Sequence, residues 1–258
     1  MVRMSAQITF GPSIADWQER INVERLRSGR ADRARTVMRE HSVPAILATR
    51  PENTRYLTGL RGPEFQPQLW YVLFFAEHEP VVFHHAGWLH AYPSQAPWIR
   101  HWRLARASVP GAGSEVVHEE ATLLAEGVYQ ELESRGLAGE PLAVAGFDRA
   151  AHDALVARGV RVVDGAAIML EATKIKTTDE IACLKMAYSM ADVAWYRLWE
   201  LLRPGENGDS VAQTALQAAL EAGAHEVPAG HVRSGPMSFD RAYEATGRRL
   251  DTGDLAYA

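Results

Sequence analysis

Eight apolar residues in a row, "LWYVLFFA" from Leu69 to Ala76, constrain this chain more than any other stretch. Successive residues of a strand point to opposite faces, so a half-exposed strand alternates apolar with polar side chains. This run does not alternate. Both of its faces therefore need cover, which is the condition of a central strand between two layers of helix. "PAILAT" (Pro44–Thr49), "PVVF" (Pro80–Phe83) and "PLAVAG" (Pro141–Gly146) also lack strict alternation. Glu77-His78-Glu79-Pro80 separates two of these runs and suits a hairpin connection. Helical patterns lie between the strands. Val23–Glu40 is charged with apolar Leu26, Ala34, Val37 and Met38, and "EEATLLAEGVYQELESRG" sets Leu123, Leu124, Val128 and Leu132 on one side with Gly136 as the stop. "DRAAHDALVARG" reads as a further helix, and "VRVVDGA" as a further strand. Strands alternating with helices over roughly residues 25–165 predict an α/β domain.

The pattern changes near residues 165–175. Thr177 followed by Glu180 is a capping-box signature, and Ile181, Leu184, Tyr188, Ala191, Trp195, Leu198 and Leu202 keep helical spacing up to Pro204-Gly205. Ser210 with Gln213 predicts a second box, opening a helix that runs to Gly223. "HEVPAGHVRSGP" and the final run then predict strands. The expected organisation is a lead-in over 1–24, a first domain over 25–168, and a second over 169–258 that enters a sheet at the end of the sequence.

Composition narrows the function classes. A net charge of -5 argues against a general nucleic-acid binder. The single cysteine, Cys183, excludes an internal disulfide framework and fits a reducing compartment. No stretch approaches the ~18 consecutive apolar residues of a membrane span, and the N-terminus has no signal-like apolar core. A cytoplasmic protein with no membrane or nucleic-acid partner is expected.

Four stretches, in order, resemble the creatinase/aminopeptidase P/prolidase family: "PENTRYLTGL" (Pro51–Leu60), "IKTTDEIACLKMA" (Ile175–Ala187), "RPGENGDSVA" (Arg203–Ala212), and "VRSGPMS" (Val232–Ser238) followed by "GDLAYA" (Gly253–Ala258). The resemblance implies a creatinase-type N-terminal domain, a mixed sheet flanked by helices, followed by the first part of a pita-bread catalytic domain. It also implies a metal-dependent Xaa-Pro peptidase-like hydrolase that works as a homodimer on a small-molecule or short-peptide substrate. The family's divalent metal pair (Mn, Co, Zn or Fe) is held by two aspartates, a histidine and two glutamates that follow the Gly253-Asp254 position. The chain is accordingly expected to stop at the threshold of the first ligand, and to hold no metal and show no peptidase activity by itself.

The family's histidine after the Ser-Gly pair falls, counted without gaps, on Ala242, and "MSFDRAYEATG" contains no histidine. An alanine can neither donate a proton nor support a developing oxyanion. This departure resembles the pita-bread lyase acting on dimethylsulfoniopropionate. A non-catalytic binding module of the same fold is the alternative of a different class.

No catalytic residue is assigned. The substrate-binding candidates are His231 and Arg233, which share a face if "GHVRSG" is extended, and Phe65, Gln68 and Trp70 in the loop Arg61–Tyr71. By the resemblance, that loop reaches the partner subunit's active site. His84 and His85 are adjacent on a strand and so point apart, one packed and one solvated, which is no arrangement for one ion. Cys183 reads as a small packed side chain.

Overall fold

The computed structural model describes residues 21–62, 69–106, 113–227, 230–239 and 245–258. Its packing divides the chain into two units, one of Glu24–Lys176 and one built on Thr177–Ala258.

The first unit runs α1 (Val23–Glu40), β1 (Ala45–Ala48), α2 (Pro51–Thr58), β2 (Trp70–Phe75), β3 (Val81–His84), α3 (Tyr92–Gln95), β4 (His101–Leu104), α4 (Ser114–Glu133), β5 (Pro141–Ala145), α5 (Arg149–Ala157), β6 (Arg161–Asp164) and α6 (Ala166–Lys174). The six strands form one mixed sheet in the order β4-β3-β2-β1-β5-β6. β2 is antiparallel to β1 and β3, while β3–β4, β1–β5 and β5–β6 are parallel. The apolar run predicted to be central is central: all of β1, β2 and β3 is buried. The expected hairpin joins β2 to β3, with Trp70 opposite His84 and Leu73 opposite Val81.

Alternation along β2 builds two cores. Trp70, Val72 and Phe74 face a layer holding Val37 and Met38 of α1, Leu57 of α2 and Ile168 of α6. Tyr71, Leu73 and Phe75 face Leu124, Val128 and Leu132 of α4 and Leu155 of α5. Each fully buried side chain of this size contributes about 1.5–3 kcal/mol. Leu123, expected on the inner side of α4, is 40% exposed, because the buried stripe follows Ala121, Leu124, Ala125 and Val128. Helix α6 packs into this unit. Its Ile168, Met169 and Ala172 are core residues, and the Tyr56 hydroxyl donates to the Ala172 carbonyl at 2.7 Å.

The second unit runs α7 (Thr178–Leu201), α8 (Gly208–Glu221), β7 (Arg233–Ser234), a single 3-10 turn (Gly235–Met237) and β8 (Ala256–Tyr257). The capping box predicted at Thr177 and Glu180 is present with both of its hydrogen bonds. The second predicted box is not used. Helix α8 begins three residues earlier, capped by Asn207, whose side-chain oxygen accepts from the backbone of Asp209 and Ser210. Asn207 is fixed there because its backbone bridges Arg249 and its amide donates to the Gly247 carbonyl. The strands expected over His225–Pro236 and at the end shrink to two residues each among the described residues. The inner core here is small, with Leu198, Val211, Ala212, Ala215, Val232 and Leu250 at its centre.

Candidate functional site

Two separate groups of residues were singled out from sequence, and they fall in different units. In the second unit the frame is the β7–β8 ribbon, with Arg233 opposite Tyr257 and Ser234 opposite Ala256. Arg248 ties this ribbon to the turn before β8. Its Nε donates to Ser234 Oγ at 3.2 Å, and its Nη2 donates to both carboxylate oxygens of Asp254, at 3.1 and 2.8 Å. Asp254 Oδ2 also accepts the Asp251 backbone N–H at 3.0 Å. The Arg248 hydrogen bond, with that of the Asp251 amide, holds the Asp254 carboxyl below the usual carboxylate range. Gly235 sits against this bracket at φ +54, and a Cβ there would lie 2.5 Å from Asp254 Oδ1. The Ser-Gly pair is therefore a packing requirement as well as a backbone one.

Arg233 is 3% exposed and already engaged within the protein. His231 is half-buried and lies just before the two-residue strand. The structure thus leaves His231 half-buried and commits Arg233 to the interior. Val232, between them, lines an apolar groove of about 220 Å³ together with Trp195, Leu198, Trp199, Leu202 and Tyr257. Sequence reasoning missed Arg248. The signal was an arginine placed between a Ser-Gly pair and a Gly-Asp pair, and it becomes meaningful only once the two are known to be paired strands.

In the first unit, Phe65 and Gln68 lie outside the described residues. Trp70, read from sequence as part of a loop, is the first residue of β2 and is 1% exposed. It packs in the core, with its ring stacked on His84 at 6.2 Å. Its indole is a wall beneath the Gly62 backbone rather than an open surface: a Cβ on Gly62 would approach Trp70 Cε2 to 2.3 Å. His84 and His85 do point apart, the first fully buried and the second exposed. Cys183 is half-buried and unbonded to any other cysteine.

A bridged metal pair needs several hard oxygen or imidazole donors converging on one place. Among the described residues no group of three or more His, Cys, Asp or Glu side chains is arranged to hold an ion. Asp251 and Asp254 do share a turn, but Asp251 Oδ1 accepts the Thr252 amide and Asp254 is bound by Arg248. The described residues do not fit a metal centre.

The family model described as the Creatinase/Prolidase N-terminal domain matches residues 30–163, more than half of the chain. The chain belongs to that family. Among curated proteins no sequence matches. Several solved structures share the fold of this creatinase/prolidase chain. A prolidase from Thermococcus sibiricus superimposes with a TM-score of 0.68 at 18% identity, over 89% of this chain and 60% of its own. The dipeptidase PepE from Mycobacterium ulcerans gives 0.66 at 21%, over 91% and 60%, and an Xaa-Pro dipeptidase from Bacillus anthracis gives 0.65 at 16%, over 89% and 59%. At such identities the likeness establishes the fold. Since it covers far more than the first unit, it extends into the second, the opening part of a pita-bread catalytic domain. The chain spans about 60% of the length of these structures.

Proposed function

We propose that the protein is an Xaa-Pro peptidase-like, metal-dependent hydrolase whose metal ligands are not among the described residues. The observation that carries this reading is the reach of the structural likeness, through the family's N-terminal domain and on into the catalytic domain of Xaa-Pro dipeptidases. A divalent metal pair of the kind the resemblance implies would supply an activated water and a polarised carbonyl, and none of the described residues would hold it. The residues of this chain have supporting roles. The Arg248–Asp254 bracket fixes the β7–β8 ribbon, His231 contacts the substrate at its edge, and Phe65 and Gln68 add a second contact surface. Substrates are short peptides, the protein acts as a homodimer, and its compartment is the cytoplasm. No described helix is long and apolar enough to cross a membrane.

A second reading is favoured by one feature of the sequence, the absence of any histidine between Met237 and Gly247. A site with Ala242 where a proton donor is expected suits proton abstraction beside a carbonyl, as in a dimethylsulfoniopropionate lyase, better than peptide hydrolysis. Ala242 itself lies outside the described residues. The discriminating experiment supplies the purified protein, incubated with Mn or Co, with Xaa-Pro dipeptides and with dimethylsulfoniopropionate. Chelator-sensitive release of proline supports the peptidase. Release of dimethyl sulfide supports the lyase. Neither activity in a protein that binds the metal stoichiometrically would defeat both enzymatic readings.

A further inference from the structure

At the carboxyl end of β3, His84 is 0% exposed, and among the described residues neither ring nitrogen has a hydrogen-bond partner. A neutral imidazole carries one donor and one acceptor, and leaving both unmet in an apolar site is unfavourable. The ring is enclosed by aromatics. Tyr92 lies 4.5 Å away between centroids, Trp70 6.2 Å and Trp88 6.4 Å. These neighbours join separate pieces of chain. Trp70 opens β2 and supports the backbone of Gly62, Trp88 sits in the turn after β3, and Tyr92 begins α3. Tyr92 also packs edge-on against Trp88 at 5.6 Å. One side chain is thus the common contact of three segments at the same edge of the sheet.

We propose that His84 is an acid-sensitive latch: protonation drives its ring out of the aromatic cup and loosens the carboxyl edge of β3, the turn behind it and the Gly62 segment resting on Trp70. An imidazolium needs two acceptors where the neutral ring already lacks partners. The faces of Trp70, Trp88 and Tyr92 offer some cation–π attraction, but they do not replace the lost hydration. Burial dominates and pushes the His84 pKa down to about 4. The His85 backbone, short of hydrogen-bond geometry, lifts it slightly, and the His85 side chain lowers it further.

The charges around the cup do not rescue the cation. β2 contributes only Trp70. The turn contributes His85 and His90, both exposed, and α3 contributes Tyr92, whose hydroxyl is raised by burial and lowered by Arg61. On β4 the residue opposite His84 is Leu104, and its neighbour Arg103 is paired with Glu131 at 2.6 Å. No described carboxylate acts on the ring. Trp88, 40% exposed, forms the outer wall through which water enters when the ring leaves.

The sign follows from linkage. Between the unfolded value near 6.5 and the folded value of about 4, the unfolded chain binds more protons, so stability falls as pH falls through that window and changes no further below it. The test is urea unfolding of the 258-residue chain, followed by tryptophan fluorescence from pH 8 to 4, for wild type, His84→Phe and the exposed control His85→Gln. Relative to His84→Phe, the wild-type folding constant is expected to fall roughly eightyfold between pH 6.5 and 4, while His85→Gln tracks wild type. Imidazole NMR on the unmodified chain gives a readout that no variant can spoil: the His84 resonance stays neutral at pH 5.5. A shared pH dependence of wild type and His84→Phe, or an ordinary His84 titration near 6.5, would overturn the proposal.

Discussion

Helices α4 and α7 are the long amphipathic helices of their units, 20 and 24 residues, and their apolar faces end in opposite environments. α4 lays Leu124, Ala125, Val128 and Leu132 on a six-stranded sheet and buries them. α7 packs with Leu198 and Met190, but leaves Ile181 and Leu184 44% exposed, Trp195 57%, Tyr188 69% and Trp199 74%. The helices do not differ in their ability to form, since α7 has the better cap. They differ in what lies opposite. The first unit has strands enough to cover a face, whereas the described part of the second has two strands of two residues. Helix periodicity states that a face needs a partner, and a sheet decides whether it gets one.

Truncating one aromatic in each unit should have very unequal effects. Phe74→Ala, in the middle of β2, is expected to cost about 3–5 kcal/mol, enough to unfold much of the first unit. Trp199→Ala is expected to change stability by no more than about 0.5 kcal/mol while reducing apolar-dye binding. Urea denaturation of the two variants checks both values. A large loss from Trp199→Ala would show that the exposed face of α7 has found a cover in solution.

A smaller effect is expected at the start of α7. Removing the Thr177 hydroxyl in Thr177→Ala deletes one half of the capping box and costs about 1 kcal/mol. The loss should appear as faster amide exchange in the first turn of α7, with the sheet of the first unit unaffected. Equal loosening of both units would mean that they unfold together.

The smallest effect is confined to acid. The folded Asp254 carboxyl is depressed by Arg248, so its contribution is present above the unfolded carboxylate value near 3.9 and is lost as pH falls through the lower folded value. Asp254→Asn should loosen the β7–β8 ribbon at neutral pH and remove that acid dependence, read from exchange of the Asp251 and Gly235 amides. An unchanged ribbon would show that the Arg248 bracket is incidental.

The sequence revealed the fold wherever burial was complete. β1, β2, β5 and most of β3 are apolar runs and were legible, and the turn residues Glu77 to Pro80 marked the hairpin between β2 and β3. β4, "HWRL", was not found. It is an edge strand of half-buried and exposed residues, and nothing in its pattern demands two covered faces. α2 carries no helix signal in sequence, because eight residues beginning with proline hold too few periodic positions. The apolar stripe of α7 was legible as a stripe, while which of its side chains are covered, Leu198 but not Trp199, depends on what packs there. At the candidate site the Ser-Gly and Gly-Asp pairs were visible, but Arg248 between them was not, because its partners are set by strand pairing. Trp70 was assigned to the loop since a loop's end cannot be told from a strand's start in an apolar run.

That the first unit is self-sufficient and the second weakly held is tested most directly by native-state hydrogen exchange on the chain. Amides of β1, β2 and β5 should exchange only through global unfolding, while those of α7 and α8 exchange through a separate, lower-energy opening. Protection of equal magnitude across both units, lost in a single cooperative transition, would contradict it.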